Sequence, residues 1–186
     1  MLPLRRERPV PTAPKPTGPR VDAFPPPAQV TLDSALDYDG IFRVVRSAVR
    51  AILGRERAGL GLALARLPPH LGAYWPVSGN LIVLNQNLVE AMRARARSRT
   101  EFNSFVFVVL THEYLHALGY LDERAARATA AEVTRRCFGP DHPATQMAEG
   151  DLWRLFPFLA WAGAGDGRQL TIVRGFDRDE TQSYIR

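Results

Sequence analysis

His112 and His116 stand four residues apart in the sequence THEYLHALGYLD, which covers positions 111–122. Residues four apart lie on the same face of an α-helix, so the two imidazole rings could each offer a nitrogen to one metal ion. Glu113 directly follows His112. At that position its carboxylate is better placed to take a proton from a metal-activated water than to bind the metal. The pattern therefore predicts a zinc site at which Glu113 is the general base.

The residues before His112 indicate that these side chains lie on a buried helix. The run FNSFVFVVL at positions 102–110 is apolar almost throughout. Ionisable groups drawn into such surroundings need compensation, which a bound metal ion would provide. The tetrapeptide SRTE at positions 98–101 has the form of a capping box, and this favours a helix over a strand for the apolar run. We expect the helix to run to about Leu118 and Gly119 to end it.

A catalytic zinc commonly has three protein ligands, and Asp122 is predicted to be the third. It stands three residues after Gly119, which can take the positive φ that turns the chain back toward the metal. Asp122 could instead be the N-cap of a following helix over 122–138, whose first residues read DERAAR. In that case the third ligand would be Glu132 or His142.

These positions resemble the motif H-E-x-x-H-x-x-G-x-x-H of the metzincin metallopeptidases, in some of which Asp takes the last place. The match is one for one at His112, Glu113, His116, Gly119 and Asp122. The resemblance implies a zinc-dependent peptidase that acts on a peptide or protein substrate. A zinc-activated water would attack the peptide bond, with Glu113 as general base.

Metzincins also carry a methionine-containing turn beneath the metal, and Met147 is the only candidate downstream of the motif. A methionine at this position could equally fill a gap in the core. The residue that stabilises the oxyanion is not identified by the pattern. Tyr120, His142 and Tyr184 are candidate donors.

Two other functions are compatible with the motif. Bacterial rRNA-maturation endoribonucleases carry H-G-x-x-H-x-x-G-Y-x-H, and this chain resembles them at Gly119 and Tyr120 and in the six-residue step to the last ligand. That family has Gly where this chain has Glu113, which favours the peptidase. A third alternative is a non-enzymatic zinc-binding module that uses the basic N-terminal region to hold a partner.

The remaining patterns predict an α+β fold. Positions 59–64 and 80–85 are short apolar strand candidates, and a helix is expected over about 87–97. Apolar residues in 39–53 recur at the spacing of one helix face, which predicts a covering helix. This order resembles the zincin layout: a single zincin-like domain, with a small mixed sheet packed on a buried active-site helix and a further helix after the motif. An edge strand above the metal would then pair with an extended peptide.

Composition sets the domain boundaries and limits the partners. The 186 residues, 46% of them hydrophobic, suffice for one domain over 31–186. Residues 1–30 are rich in proline and predict a disordered basic tail, which holds five basic and two acidic residues of a chain with net charge +5. The cluster of Arg93, Arg95, Arg97 and Arg99 suits the C-terminal end of a helix as well as a phosphate site, so nucleic acid is not favoured as a partner.

The expected location is the cytoplasm. The N-terminal arginines are followed by prolines rather than by the apolar core of a secretory signal. The longest apolar stretches fall short of the roughly 20 residues that a membrane helix needs. Cys137 is the only cysteine, which excludes an internal disulfide and fits a reducing compartment.

Overall fold

The computed structural model describes residues 32–165 and 167–177. Residues 1–30, predicted to be a tail, and Tyr184 lie outside these ranges. In chain order the elements are α1 (Tyr38–Leu53), β1 (Gly61–Ala65), β2 (Ala73–Tyr74), β3 (Leu81–Asn85), α2 (Gln86–Arg95), α3 (Arg99–Ala117), α4 (Glu123–Phe138), α5 (Pro143–Glu149), α6 (Leu152–Leu155), a 3-10 helix (Pro157–Trp161) and β4 (Leu170–Ile172). Helices packed with a small mixed sheet make this an α+β fold, as the sequence predicts.

The sheet has the strand order β2-β3-β1-β4. Its two central strands are the predicted ones, and they run parallel, with Gly61 opposite Leu81 and Ala65 opposite Asn85. The outer strands β2 and β4 are antiparallel to their neighbours and were not predicted, because elements of two and three residues carry no readable periodicity. The predicted strand over 80–85 is therefore interior, and β2 forms the sheet edge next to it.

Helix α3 is the buried centre of the fold, packed against α1, α4 and α5. The Oγ of Ser98 accepts the backbone N–H of Glu101 at 3.1 Å, which confirms the predicted start. The Glu101 carboxylate does not complete the box but accepts the backbone N–H of Arg97 at 2.7 Å. Gly119, with φ of 98°, follows the end of the helix as predicted. Among the helices within the described ranges, none is both long and apolar enough to span a membrane.

Helix α1 covers one side of α3 with the amphipathic face that the sequence predicts. Its buried residues include Ile41, Val45 and Val49, and it begins at the N-cap Asp37, whose side chain accepts the N–H of Gly40 at 2.8 Å. The covering helix thus lies within one residue of the predicted bounds.

The arginines near the end of α2 are engaged within the molecule. Arg93 lies over the ring of Phe102, with its Cζ 4.4 Å from the centroid, and Arg95 lies over Phe158 at 5.1 Å. The guanidinium of Arg97 pairs with Glu101 at 2.6 Å. Arg93 and Arg95 lie in the last turn of α2, the place at a helix C-terminus that was predicted as the alternative to a phosphate site.

Candidate metal centre

His112 and His116 project from α3 toward Glu123, the first residue of α4. Their Nε2 atoms lie 3.0 Å apart, and each lies 3.3 Å from an oxygen of the Glu123 carboxylate. Donors bound at 2.0–2.1 Å to one tetrahedral zinc ion are about 3.3–3.4 Å apart. His112 faces Oε2 of Glu123 and His116 faces Oε1, and one donor atom from each of the three side chains lies within 4.8 Å of the others. The group therefore fits a zinc ion in donor type and lies close to the spacing that zinc requires. Among the described residues, these three side chains form a group of possible metal ligands whose donor atoms lie close together.

Asp122, predicted to be the third ligand, is the N-cap of α4. Its Oδ1 accepts the backbone N–H of Ala125 at 2.8 Å. The structure therefore brings Glu123, and not Asp122, to the two histidines. The sequence signal for Glu123 was its place beside Asp122 in the acidic first turn, where a side chain longer by one methylene can reach back toward α3.

The two alternative candidates for the third ligand, Glu132 and His142, do not belong to the group formed by His112, His116 and Glu123. Glu132 is exposed and lies 3.8 Å from Arg136, one turn further along α4. His142 is the N-cap of α5, where its Nδ1 accepts the N–H of Ala144 at 3.1 Å. Burial lowers the pKa of the His142 imidazole, whose ring stacks on Phe138 at 4.7 Å. Both side chains thus have structural roles.

The hydrogen bond of His116 and the burial of His112 favour metal binding. The Nδ1 of His116 lies 2.7 Å from the carbonyl oxygen of Tyr120, and because a carbonyl can only accept, Nδ1 is the donor. In the neutral ring this leaves the lone pair on Nε2, the atom that faces Glu123. Burial is the main cause that lowers the pKa of His112, which favours the neutral form that a metal requires.

Glu113 is buried, with 6% of its surface exposed, and lines the same cavity as His112. Burial raises its pKa to about 7, opposed by the nearby charge of His116 and by the backbone N–H of Trp75 and reinforced by the charge of Glu123. A carboxyl group with a pKa near 7 can both accept and release a proton at neutral pH. This is the property that a general base needs in a hydrolase.

A cavity of about 390 Å³ opens beside His112 and Glu123. His112, Glu113 and Glu123 line one side of it, and residues 70–73, which lead into β2, line another. The apolar part of its wall includes Leu71, Val108, Val109, Ala130, Met147 and Trp153. The site thus combines a candidate ligand set, a titratable carboxyl group and an adjoining cavity.

Comparisons of this chain with protein-family models, with curated proteins and with solved structures found no match. The geometry and the chemistry of the site are the grounds for assigning a function.

The loop that leads into β2 is held in place by Asn85, a fully buried residue at the end of β3. Its side-chain amide donates to the carbonyls of Pro68 at 3.0 Å and Leu71 at 2.8 Å. Its backbone N–H donates to the carbonyl of Gly72 at 2.9 Å. These bonds fix the cavity wall that carries His70.

His70 is a cavity residue that carried no sequence signal, since it belongs to no motif. Of the predicted oxyanion donors, Tyr120 and His142 are not part of the cavity lining, and Tyr184 lies outside the described residues. Met147 does line the cavity, but it is buried within the helix α5 and does not form a turn. Its position fits the gap-filling role rather than a methionine turn.

Proposed function

We propose that this chain is a zinc-dependent metallopeptidase in which His112, His116 and Glu123 hold the metal. The observation that carries the proposal is the approach of the three side chains to within 3.0–3.3 Å of one another beside Glu113. Two imidazoles and one carboxylate are a ligand set of catalytic zinc, which keeps a fourth position open, whereas structural zinc sites have four protein ligands. The adjoining cavity supports the catalytic alternative.

A zinc ion held there would supply Lewis-acid chemistry, polarising a substrate carbonyl and lowering the pKa of a water molecule to about 7. Glu113 supplies the proton transfers. Its carboxylate accepts a proton from the attacking water and later delivers that proton to the nitrogen of the leaving amine. A basic group of this kind is what separates the peptidase from the ribonuclease motif, which has Gly at this position.

The cavity supports a peptide as the substrate. Within the described part of the chain β2 has a single neighbour in the sheet, β3, and Ala73 of β2 lines the cavity. An extended peptide can therefore pair with the main chain of β2 while an apolar side chain enters the space lined by Val109 and Met147. His70 and Arg127 line the cavity with N–H donors that could stabilise an oxyanion.

The first test is metal content. We expect the purified full-length chain to contain about one zinc ion per molecule, because three protein ligands converge on one point. His112→Ala and His116→Ala should each abolish zinc binding. Elemental analysis measures the result. A preparation that remains free of metal after zinc is supplied would exclude the proposal.

The second test separates catalysis from metal binding through Glu113→Gln, which keeps the size of the side chain and removes its basic group. Zinc should stay bound, and cleavage of a peptide library should fall about 10²–10⁴-fold. Wild type and variant should also be assayed on single-stranded and structured RNA. Metal-dependent RNA cleavage without peptide cleavage would replace the peptidase with the nuclease.

A further inference from the structure

We propose that Arg55 is a positioning residue for His116 and acts through the turn that follows α3. Arg55 lies in the segment between α1 and β1, 63 positions before the turn. Its guanidinium donates to the carbonyl of Leu118 at 2.7 Å and lies over the ring of Tyr120, with Cζ 5.3 Å from the centroid. One side chain thus contacts two of the three residues of the turn.

The turn matters because its last residue supplies the hydrogen bond of a metal ligand. The backbone N–H of Tyr120 donates to the carbonyl of Leu115 at 3.0 Å, and Gly119 between them has φ of 98°. The carbonyl of Tyr120 then accepts Nδ1–H of His116 at 2.7 Å. Glycine has more conformational freedom than other residues, so the contact from Arg55 adds to the turn's own hydrogen bonds in holding that carbonyl in place.

The consequence concerns the tautomer of His116. While Nδ1 carries the proton, the lone pair on Nε2 faces Glu123 and His112. If the Tyr120 carbonyl moves, the proton can reside on Nε2, where it blocks metal binding. Arg55 therefore maintains the ligand-competent tautomer without touching the imidazole. The effect of Arg55 on the tautomer does not depend on the proposed function, whereas its effect on zinc binding rests on it.

Arg57 offers a matched control from the same segment. It donates to the carbonyl of Ala117 at 2.9 Å, one residue before the Arg55 contact, and so also satisfies the end of α3. Its guanidinium also donates to the carbonyl of Gly79 at 2.8 Å and lies over the ring of Trp75 at 5.4 Å, and its hydrogen bonds with the Tyr114 hydroxyl come from its backbone, which the substitution keeps. Loss of Arg57 therefore removes a comparable cap from the helix and spares the ring of Tyr120.

The experiment that does not depend on metal is ¹⁵N NMR of the histidine rings in the metal-free, full-length chain above neutral pH. We expect wild type and Arg57→Ala to show His116 with the proton on Nδ1. Arg55→Ala should show a mixture of tautomers or the proton on Nε2. An unchanged His116 tautomer in Arg55→Ala would overturn the proposal, whether or not the protein binds zinc.

The second readout is zinc affinity, measured by competition with a chromogenic chelator. Loss of an outer-shell partner commonly weakens metal binding about 10–100-fold, and we expect this for Arg55→Ala and Tyr120→Ala. Tyr120→Phe keeps the ring under the guanidinium and should bind zinc like wild type, as should Arg57→Ala. Equal affinity of Arg55→Ala and wild type would refute the role of Arg55. If wild type bound no zinc while Arg55 still controlled the tautomer, the metallopeptidase would be excluded and the positioning role would stand.

Discussion

Asp122 and Glu123 are adjacent acids with different partners, and the difference follows from their places at the start of α4. The N-cap position lets a short carboxylate accept a backbone N–H of the first turn, as Asp122 does with Ala125 at 2.8 Å. Glu123, one position inside the helix, projects its longer side chain toward the histidines of α3. Asp122 thus caps the helix, whereas Glu123, with the same charge, belongs to the candidate ligand set.

Paired substitutions test this division of roles. Glu123→Ala should remove or strongly weaken zinc binding, because only two imidazoles would remain, and it should change the stability of the metal-free protein little. Asp122→Ala should retain zinc and lower the free energy of unfolding by about 0.5–2 kcal/mol through loss of the cap. Elemental analysis and urea unfolding give the two readings. The reverse outcome, with zinc lost from Asp122→Ala and kept by Glu123→Ala, would restore the sequence assignment.

The junction of β3 and α2 shows how one element supports the site. Asn85 ends the strand, caps the helix by accepting the N–H of Asn87 at 3.1 Å, and donates to the carbonyls of the loop before β2. A buried asparagine with every polar atom bonded is specific to one backbone arrangement. It therefore orders the part of the cavity wall that the loop before β2 forms.

Asn85→Ala is expected to destabilise the fold and to loosen that wall. A buried carbonyl left without a partner costs about 1–3 kcal/mol, and the side chain serves several, so the free energy of unfolding should fall by at least about 2 kcal/mol. Gln86→Ala is the control, since the side chain of Gln86 donates an exposed hydrogen bond to Glu90, four residues on, at 2.7 Å. Urea unfolding compares the two variants. Equal stability would show that Asn85 does not hold the loop.

At the scale of the whole molecule, the last described residues pack against α1 and the segment that follows it. Asp177 has a fully buried side chain that binds the guanidinium of Arg46 on α1 and accepts the N–H of Leu60 at 2.9 Å. Phe176 packs on Phe42 with ring centroids 4.5 Å apart. These contacts join segments more than 100 residues apart in the sequence, at positions 42–60 and 176–177.

Asp177→Ala should be among the more destabilising single substitutions. The substitution removes the buried acceptor of the Leu60 N–H and one of the two carboxylates that pair with Arg46, which keeps its hydrogen bond to Glu56 at 3.2 Å. The free energy of unfolding should therefore fall by about 1–3 kcal/mol. Arg43→Ala breaks an exposed pair with Asp39 on the same helix and should change stability by no more than about 1 kcal/mol. Thermal unfolding of both variants measures the contrast. If Asp177→Ala lost no more stability than Arg43→Ala, the contacts of Asp177 with Arg46 and Leu60 would not stabilise the fold.

The features of the fold that could be predicted from the sequence are those encoded locally. The apolar spacing in α1, the cap at Ser98 and the glycine at 119 each act within a few residues, and the helices begin and end close to where these signals lie. The strands β2 and β4 could not be predicted, because their formation depends on neighbours in the sheet rather than on their own two or three residues.

The same distinction holds for the site. The sequence determined that His112 and His116 share a face of α3 and that Glu113 lies next to them, because helical periodicity is a local property. The tertiary structure decided that Glu123 approaches them, that His70 lines the cavity and that Arg55 reaches the turn after α3. Those contacts depend on how helices and loops distant in sequence pack together, and a one-residue difference at the start of α4 was enough to exchange a cap for a candidate ligand.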